Sequence, residues 1–347
     1  MKKILITGGA GYIGSHTAVE LWNAGLEPII LDDLSNSHAQ VLERLKDITG
    51  KSFSFYMGDC NNRVVLDQIS REHEIAGVIH FAAFKAVGES TIKPLDYYKN
   101  NLGSLLILLD YMRDKGIRDL VFSSSCTVYG QPDVLPVTEV TPRKDAESPY
   151  GNTKKIGEDI LVDYVKSKPG IRVVALRYFN PVGAHPSAKI GELPMGTPQN
   201  LVPFITQTAA GIWQKLTVFG NDYDTPDGSC IRDYIHVVDL ADAHVKALGF
   251  LFQKPLDFYE VFNVGTGRGN TVLEVIHAFE KVNGLKLAYQ IGPRRAGDVV
   301  KTWADTRKIN QELGWHAKYT LDDCMRDSWR WQLSLGLSLG ERKGIFE

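Results

Sequence analysis

The sequence predicts an α/β protein, a doubly wound parallel sheet followed by a smaller, loop-rich α/β domain. Three observations carry that prediction. Short β-rich apolar runs alternate with helical stretches through the first half of the chain, the pattern of a parallel sheet covered on both faces. The first run enters a glycine-rich turn that opens directly into a helix. After Tyr178 the texture changes, with Pro181, Pro186, Pro194, Pro198 and Pro203 among interspersed glycines, which marks a loop-rich region.

Strands are expected at Lys3–Thr7, Glu27–Asp32, Phe53–Met57, Gly77–Phe81, Asp119–Ser124 and Arg172–Arg177. Helices fall between them at Tyr12–Asn23, Ala39–Thr49, Val64–His73, Leu95–Lys115 and Tyr150–Lys166. Such alternation builds a Rossmann-type sheet. A boundary near residue 180 gives a nucleotide-binding domain, 1–180, and a substrate-binding domain, 181–347. Two later runs, Ile231–Val238 and Val261–Val264, read as strands that return to the first domain around 231–265. The run Leu102–Met112 is apolar on more than one face; it suits equally a helix buried in this subunit and one that packs on a second subunit.

A chain of 347 residues buries enough surface for two lobes. With 39 basic and 41 acidic residues and a formal charge of -2, it is not a general nucleic-acid binder. Any acidic ligand must be gripped by a few placed arginines. Cys60, Cys126, Cys230 and Cys324 are scattered without C-x-x-C spacing, as free thiols in a reducing compartment are. The histidines are dispersed as well, and no metal site is expected. His80 and His236 lie in apolar runs and read as satisfied core histidines. The apolar start stops at Thr7 and no run of 18 apolar residues occurs, so a cytoplasmic protein without membrane contact is expected.

Gly8, Gly11 and Gly14 follow the first strand in G-x-x-G-x-x-G spacing, with Tyr12 and Ile13 opening the helix. This permits a tight turn, close approach of a pyrophosphate to backbone N–H groups, and close helix-to-strand packing. The second strand ends at Asp32-Asp33. A carboxylate there accepts hydrogen bonds from both ribose hydroxyls and repels a 2'-phosphate, so NAD is expected rather than NADP. Asp59, after the third strand, suits the adenine amino group or an ordinary loop equally well.

Tyr150 and Lys154 lie four apart at a helix start, on one face. The spacing alone also fits an ordinary amphipathic helix. A tyrosine hydroxyl titrates near ~10, whereas a proton-transfer group works best near ~7. That difference is roughly 4 kcal/mol of favoured phenolate. An exposed ion pair supplies only about 0 to 1 kcal/mol. The site must therefore be enclosed, and a second positive charge helps.

Five segments together, TGGAGYIGSH from Thr7, FSSSCTVYG from Phe122, SPYGNTKKIGE from Ser148, RYFNPVGAHPSA from Arg177 and RDYIHVVDLADAH from Arg232, resemble the extended short-chain dehydrogenase/reductase family and, within it, the UDP-galactose 4-epimerases. The resemblance implies NAD-dependent interconversion of UDP-galactose and UDP-glucose by reversible oxidation at C4 through a 4-keto sugar. It implies Tyr150 as acid/base, Lys154 as holder of the nicotinamide ribose, and Ser125 as the hydroxyl that positions the sugar 4-OH. The oxidised nicotinamide then supplies the second positive charge. Asn36, Ser37, Cys60, Phe81, Ala82, Lys85, Asn100 and Tyr178 match further cofactor positions, Lys85 as a cation that favours the reduced ring. Arg232 and Arg295 match a pair that grips the diphosphate. Asn180, Asn200, Leu201, Phe219, Tyr234 and Asp298 match other UDP-hexose positions. The family also implies a homodimer.

Two departures bear on specificity. Related 4,6-dehydratases carry an Asp-Glu pair where this chain has Cys126-Thr127, and elimination of water needs that acid and base. Thr302 stands where some relatives have a bulky tyrosine beside the sugar, so N-acetylated UDP-hexosamines are expected to fit too. The competing readings are another NAD-dependent sugar-nucleotide dehydrogenase or dehydratase, weakened by the missing acidic pair, and an NAD-sensing protein without catalysis, weakened by Ser125, Tyr150 and Lys154 occurring together.

Overall fold

The computed structural model describes residues 1–295 and 298–336. Strands β1 (Lys3–Thr7), β2 (Glu27–Asp32), β3 (Ser54–Met57), β4 (Ile75–His80), β5 (Asp119–Ser125), β6 (Arg172–Tyr178) and, much later, β11 (Phe258–Val264) form one parallel sheet in the order β11-β6-β5-β4-β1-β2-β3. Alternation along β1 explains why both faces are covered: Ile4 and Ile6 enter one core while Leu5 enters the other. The first core is roofed by α1 (Tyr12–Asn23), α2 (Gln40–Thr49) and α8 (Val237–Leu251), through residues such as Leu21, Leu45 and Leu248. The second is roofed by α3 (Arg63–Glu72), α5 (Pro94–Lys115) and α6 (Pro149–Lys166), through Leu66, Leu105 and Leu161. Connections diverge on the two sides of β1, which opens a crevice at the carboxyl ends of β1 and β4, where such sheets bind ligands.

The helix α5 spends Leu105, Leu108, Leu109 and Met112 on its own subunit's core and leaves Leu106 half exposed. A short helix, α4 (Val87–Ile92), precedes it and was not expected from the sequence. Six residues that include Gly88 and end just before Pro94 are too few to display a helical period.

Beyond Tyr178 the remaining elements are short: β7 (Asn180–Val182), α7 (Leu201–Ala209), β8 (Leu216–Phe219), β9 (Ile231–Arg232), β10 (Tyr234–His236), β12 (Asn270–Thr271), α9 (Val272–Asn283), β13 (Tyr289–Gly292), α10 (Arg307–Leu313) and α11 (Leu321–Ser334). Ile205, Val218, Tyr234, Phe279 and Met325 share a third core. The run Ile231–Val238 is not one strand of the large sheet. It divides into β9, paired with β12, and β10, paired with β7, and it ends where α8 begins. The His236 side chain accepts the Val238 N–H and caps that helix, stopping the strand despite its β-branched residues. The chain returns to the large sheet through α8, which packs on α1, and through β11, which pairs with β6 over seven residues. His80 is buried and shares a 2.7 Å hydrogen bond with the Thr7 hydroxyl.

Candidate active site

The glycine turn at the end of β1 is shaped for close backbone contact. Gly8 has φ +72, and a Cβ on it would lie 2.8 Å from the Ala82 nitrogen; a Cβ on Gly14 would lie 2.3 Å from the Gly8 carbonyl oxygen. Gly11 caps α1 in an extended conformation with no side-chain hydrogen bond, and no acidic residue occupies the first turn. The leading N–H groups of α1, at Tyr12 and Ile13, thus meet the demands of an anion. Asp32 is buried behind this turn. Its carboxylate accepts from the Ala10 N–H at 2.9 Å, the Leu34 N–H at 2.9 Å and the Ser37 hydroxyl at 2.8 Å. Asp32 thus fixes the turn and the β2 exit together, with acceptor capacity left over. These features fit a dinucleotide.

The other expected cofactor residues lie at or just beyond the carboxyl ends of β2, β3, β4 and β6, or on α5. Asp33 is exposed and holds a local turn through Ser35, beside an exposed Asn36. Asp59 is exposed and accepts from the Asn61 backbone, next to the buried Cys60, whose thiol is pushed up to about 12 by burial. Phe81 and Ala82 follow β4, and the Phe81 ring lies 4.7 Å from that of His244. Asn100 accepts a hydrogen bond from Asn61. Tyr178 donates its hydroxyl to His244 Nε2, since His244 Nδ1 is committed to the Leu240 carbonyl. Lys85 is half exposed and pairs with Glu192 at 3.4 Å.

Ser125, Tyr150 and Lys154 meet where β5 ends and α6 begins. Pro149 opens α6, and the Ser148 side chain caps it through the Gly151 N–H. Lys154 is buried, and its ammonium donates to the Ser123 carbonyl at 2.7 Å, 6.0 Å from the centroid of the Tyr150 ring. Among the described residues this is its one hydrogen bond, which leaves two donors for a ligand. Burial lowers its pKa to about 8.

Burial also raises the Tyr150 hydroxyl to about 12, with the Ser125 hydroxyl pulling it partway back and the Cys126 thiol adding to the rise. Bringing such a group into play near neutrality requires on the order of 7 kcal/mol of favoured phenolate. One positive charge about 6 Å away in protein of effective dielectric ~20 supplies about 3 kcal/mol. Lys154 alone falls short by a clear margin. An additional cation within the site is needed, and the oxidised nicotinamide ring is one.

The substrate-side residues come from several short elements and one loop. Arg295 donates two hydrogen bonds to Asp298, at 2.7 and 3.2 Å, and Arg232 approaches the same carboxylate at 3.7 Å. The Arg295 guanidinium also lies 5.7 Å from the centroid of the half-exposed Phe219 ring. Two guanidiniums converging on one carboxylate form a ready anion site. Burial pushes the Cys126 thiol up to about 12, and the Arg232 charge pulls it partway back. The Thr302 N–H donates to the Ile231 carbonyl, placing Thr302 beside Arg232. Tyr234 is buried in β10, and Asn180 on β7 pairs with it. Asn200 precedes Leu201 at the start of α7 and donates to Glu192 at 2.7 Å.

Two organising residues escaped the sequence reading. Asp233 is fully buried and accepts the N–H groups of Thr266, Gly267 and Ala304, which clamps two segments behind Arg232. Its place in the Arg232–His244 segment was the available signal. Glu192 joins Lys85 to Asn200, and its carbonyl accepts the Trp331 indole; no local pattern marks it.

A family model described as GDP-mannose 4,6 dehydratase matches residues 5–328. The UDP-glucose 4-epimerase of Bacillus subtilis (strain 168) is 52% identical over 333 residues, covering 95% of this chain and 97% of that protein. The crystal structure of the UDP-glucose 4-epimerase from Stenotrophomonas maltophila with bound NAD and formylated UDP-arabinopyranose superposes with a TM-score of 0.94 at 47% identity, covering 97% of this chain and 99% of that one. That from Bifidobacterium longum, in complex with NAD+ and UDP, gives 0.93 at 46% identity, covering 96% and 98%.

Proposed function

We propose that this chain, which belongs to the UDP-glucose 4-epimerase family of the extended short-chain dehydrogenase/reductases, interconverts UDP-galactose and UDP-glucose through a 4-keto sugar. The observation that carries the reading is the Tyr150, Ser125 and Lys154 constellation at the end of β5, beside a turn shaped for a dinucleotide. NAD, held by the glycine turn and Lys154, would supply a two-electron hydride acceptor and, once reduced, a hydride donor at C4. Tyr150 removes the 4-OH proton and later restores it. Ser125 holds the 4-OH toward Tyr150, and Lys154 directs its two remaining donors at the nicotinamide ribose while raising the local potential.

The cofactor side falls to residues 1–180 with the later return segments around 231–265: Gly8, Gly11, Tyr12, Ile13 and Gly14 at the pyrophosphate, Asp32, Asp33, Asn36 and Ser37 at the adenosine ribose, Asp59 and Cys60 at the adenine, and Phe81, Ala82, Lys85, Asn100 and Tyr178 toward the nicotinamide. The UDP-hexose falls to 181–347, with Arg232 and Arg295 on the diphosphate and Asn180, Asn200, Leu201, Phe219, Tyr234 and Asp298 around the nucleotide. The sugar must turn over between half-reactions, so binding energy belongs on UDP. Thr302 leaves room for an N-acetyl group, and UDP-N-acetylglucosamine is a second substrate in this reading.

Cys126-Thr127 provides neither carboxylic acid nor base beside C5 and C6, which disfavours elimination. The cytoplasm is the compartment, supported by four free cysteines. Among the described residues, no helix is long and apolar enough to cross a membrane. The exposed Ile92, Leu95 and Leu106 of α4 and α5 suit a homodimer.

The test is to incubate purified protein with UDP-galactose, adding no NAD, and follow the sugar by NMR. UDP-glucose without accumulating NADH supports the reading. A keto-deoxy sugar, or no turnover even with NAD added, contradicts it.

A further inference from the structure

We propose that Glu158 is a positioning residue for proton transfer at Tyr150: it sets α6 against the Ser125 end of β5 through Ser124 and Arg177. The proposal rests on the roles given above to Tyr150, Ser125 and Lys154.

Glu158 lies one turn beyond Lys154 and about two turns beyond Tyr150, on the same face of α6. It is 1% exposed. Its Oε1 accepts the Ser124 hydroxyl at 2.5 Å and Arg177 Nε at 2.9 Å. Its Oε2 accepts the second Arg177 donor at 2.6 Å and Arg143 at 3.3 Å. Ser124 is the residue before Ser125, and Arg177 the residue before Tyr178. One carboxylate thus ties the helix that carries Tyr150 and Lys154 to the ends of both strands that face them. The Arg177 side chain is fixed in turn: it donates to the Tyr129 hydroxyl at 2.8 Å and to the Glu139 carbonyl at 3.1 Å, and Tyr129 donates to Asn263 at 2.7 Å.

Stability alone does not account for this arrangement. A buried ion pair recovers little more than its desolvation cost, and well-packed apolar residues of similar volume serve as well or better. What apolar packing lacks is direction. Four directional hydrogen bonds on one carboxylate oppose a slide of α6 along the sheet, and such a slide would separate Tyr150 from Ser125. A misplacement of ~1 Å in a reacting group costs on the order of 100-fold in rate.

Ser124→Ala removes one hydroxyl and no charge, so the variant should fold. Its holoenzyme is expected to lose about 3- to 10-fold in kcat, with KM for UDP-galactose, the Kd for UDP and the bound NAD unchanged. Glu158→Gln is expected to lose on the order of 100-fold in kcat where it folds, and adding Ser124→Ala to it should cost little more, since the two act as one unit. A kcat for Ser124→Ala within about twofold of the parent, or a loss carried in KM, would overturn the proposal whether or not Glu158→Gln folds. Tyr150→Phe separates this from the underlying reading. Activity retained in Tyr150→Phe removes that reading; its loss alongside normal Ser124→Ala kinetics removes the positioning role alone.

Discussion

The proposed cofactor side and the proposed UDP side of the site are built in opposite ways. The proposed cofactor side is made of strand ends and a glycine turn on one sheet, and buried hydrogen bonds hold Asp32 and Lys154 there. The proposed UDP side gathers Asn200, Phe219 and Arg232 from short elements distant in sequence and Arg295 with Asp298 from one loop. Its arginines rest on Asp298, and Asn200 rests on Glu192. The difference follows from the chemistry. A hydride acceptor reacts only when it is held in one geometry against C4, whereas a nucleotide handle needs charge more than direction.

This contrast breaks most visibly at the tyrosine. Tyr150→Phe should keep the fold and the bound NAD while lowering kcat by ~100-fold or more, and steady-state kinetics beside a cofactor assay of the purified variant check both halves. Next in size is the anchor of the turn. Asp32→Ala removes three hydrogen bonds to a charged acceptor, so NAD affinity should fall by about 10- to 100-fold with the UDP affinity nearly unchanged. Arg295→Ala should do the converse, weakening UDP by about 10-fold and leaving the bound NAD in place; titration calorimetry with UDP reads this directly. If either variant weakens both ligands equally, the division between the two sides is wrong.

A smaller effect lies in the pH dependence of stability. Burial depresses the Lys154 pKa to about 8 in the folded protein, below the ordinary lysine value of 10.5. Between those values the unfolded chain binds the proton that the folded chain has lost. The cost of burying the charge is therefore relieved as pH rises through that window, and the cofactor-free protein gains stability from it. The Tm difference between the parent and Lys154→Met should shift in the parent's favour from pH 8 to 10. A flat difference would mean that Lys154 is better solvated than the structure shows. Smallest for the plain substrates is Thr302→Tyr, which should abolish turnover of UDP-N-acetylglucosamine while changing UDP-galactose kcat by no more than ~3-fold.

The same contrast explains what was legible in the sequence. Gly8, Gly11 and Gly14, Asp32, and the Tyr150 and Lys154 pair act within one strand, turn or helix, so their spacing carries their geometry. The strands β1 and β2 were found with their full bounds for the same reason. Without the family resemblance Arg232 and Arg295 read as solvated charges, because segments distant in sequence bring them together at Asp298. Asp233 and Glu192 were missed on the same ground: each takes its role from long-range partners. The run Ile231–Val238 failed differently. Its β-branched residues favour a strand, and a cap by His236 together with the packing of α8 on α1 turns its end into helix.

In this mechanism the hydrogen removed from C4 never leaves the site. This is tested most directly with UDP-galactose deuterated at C4, turned over in ordinary water and followed by NMR. The expected product is UDP-glucose that keeps its deuterium at C4. Product carrying solvent hydrogen at C4 would contradict it.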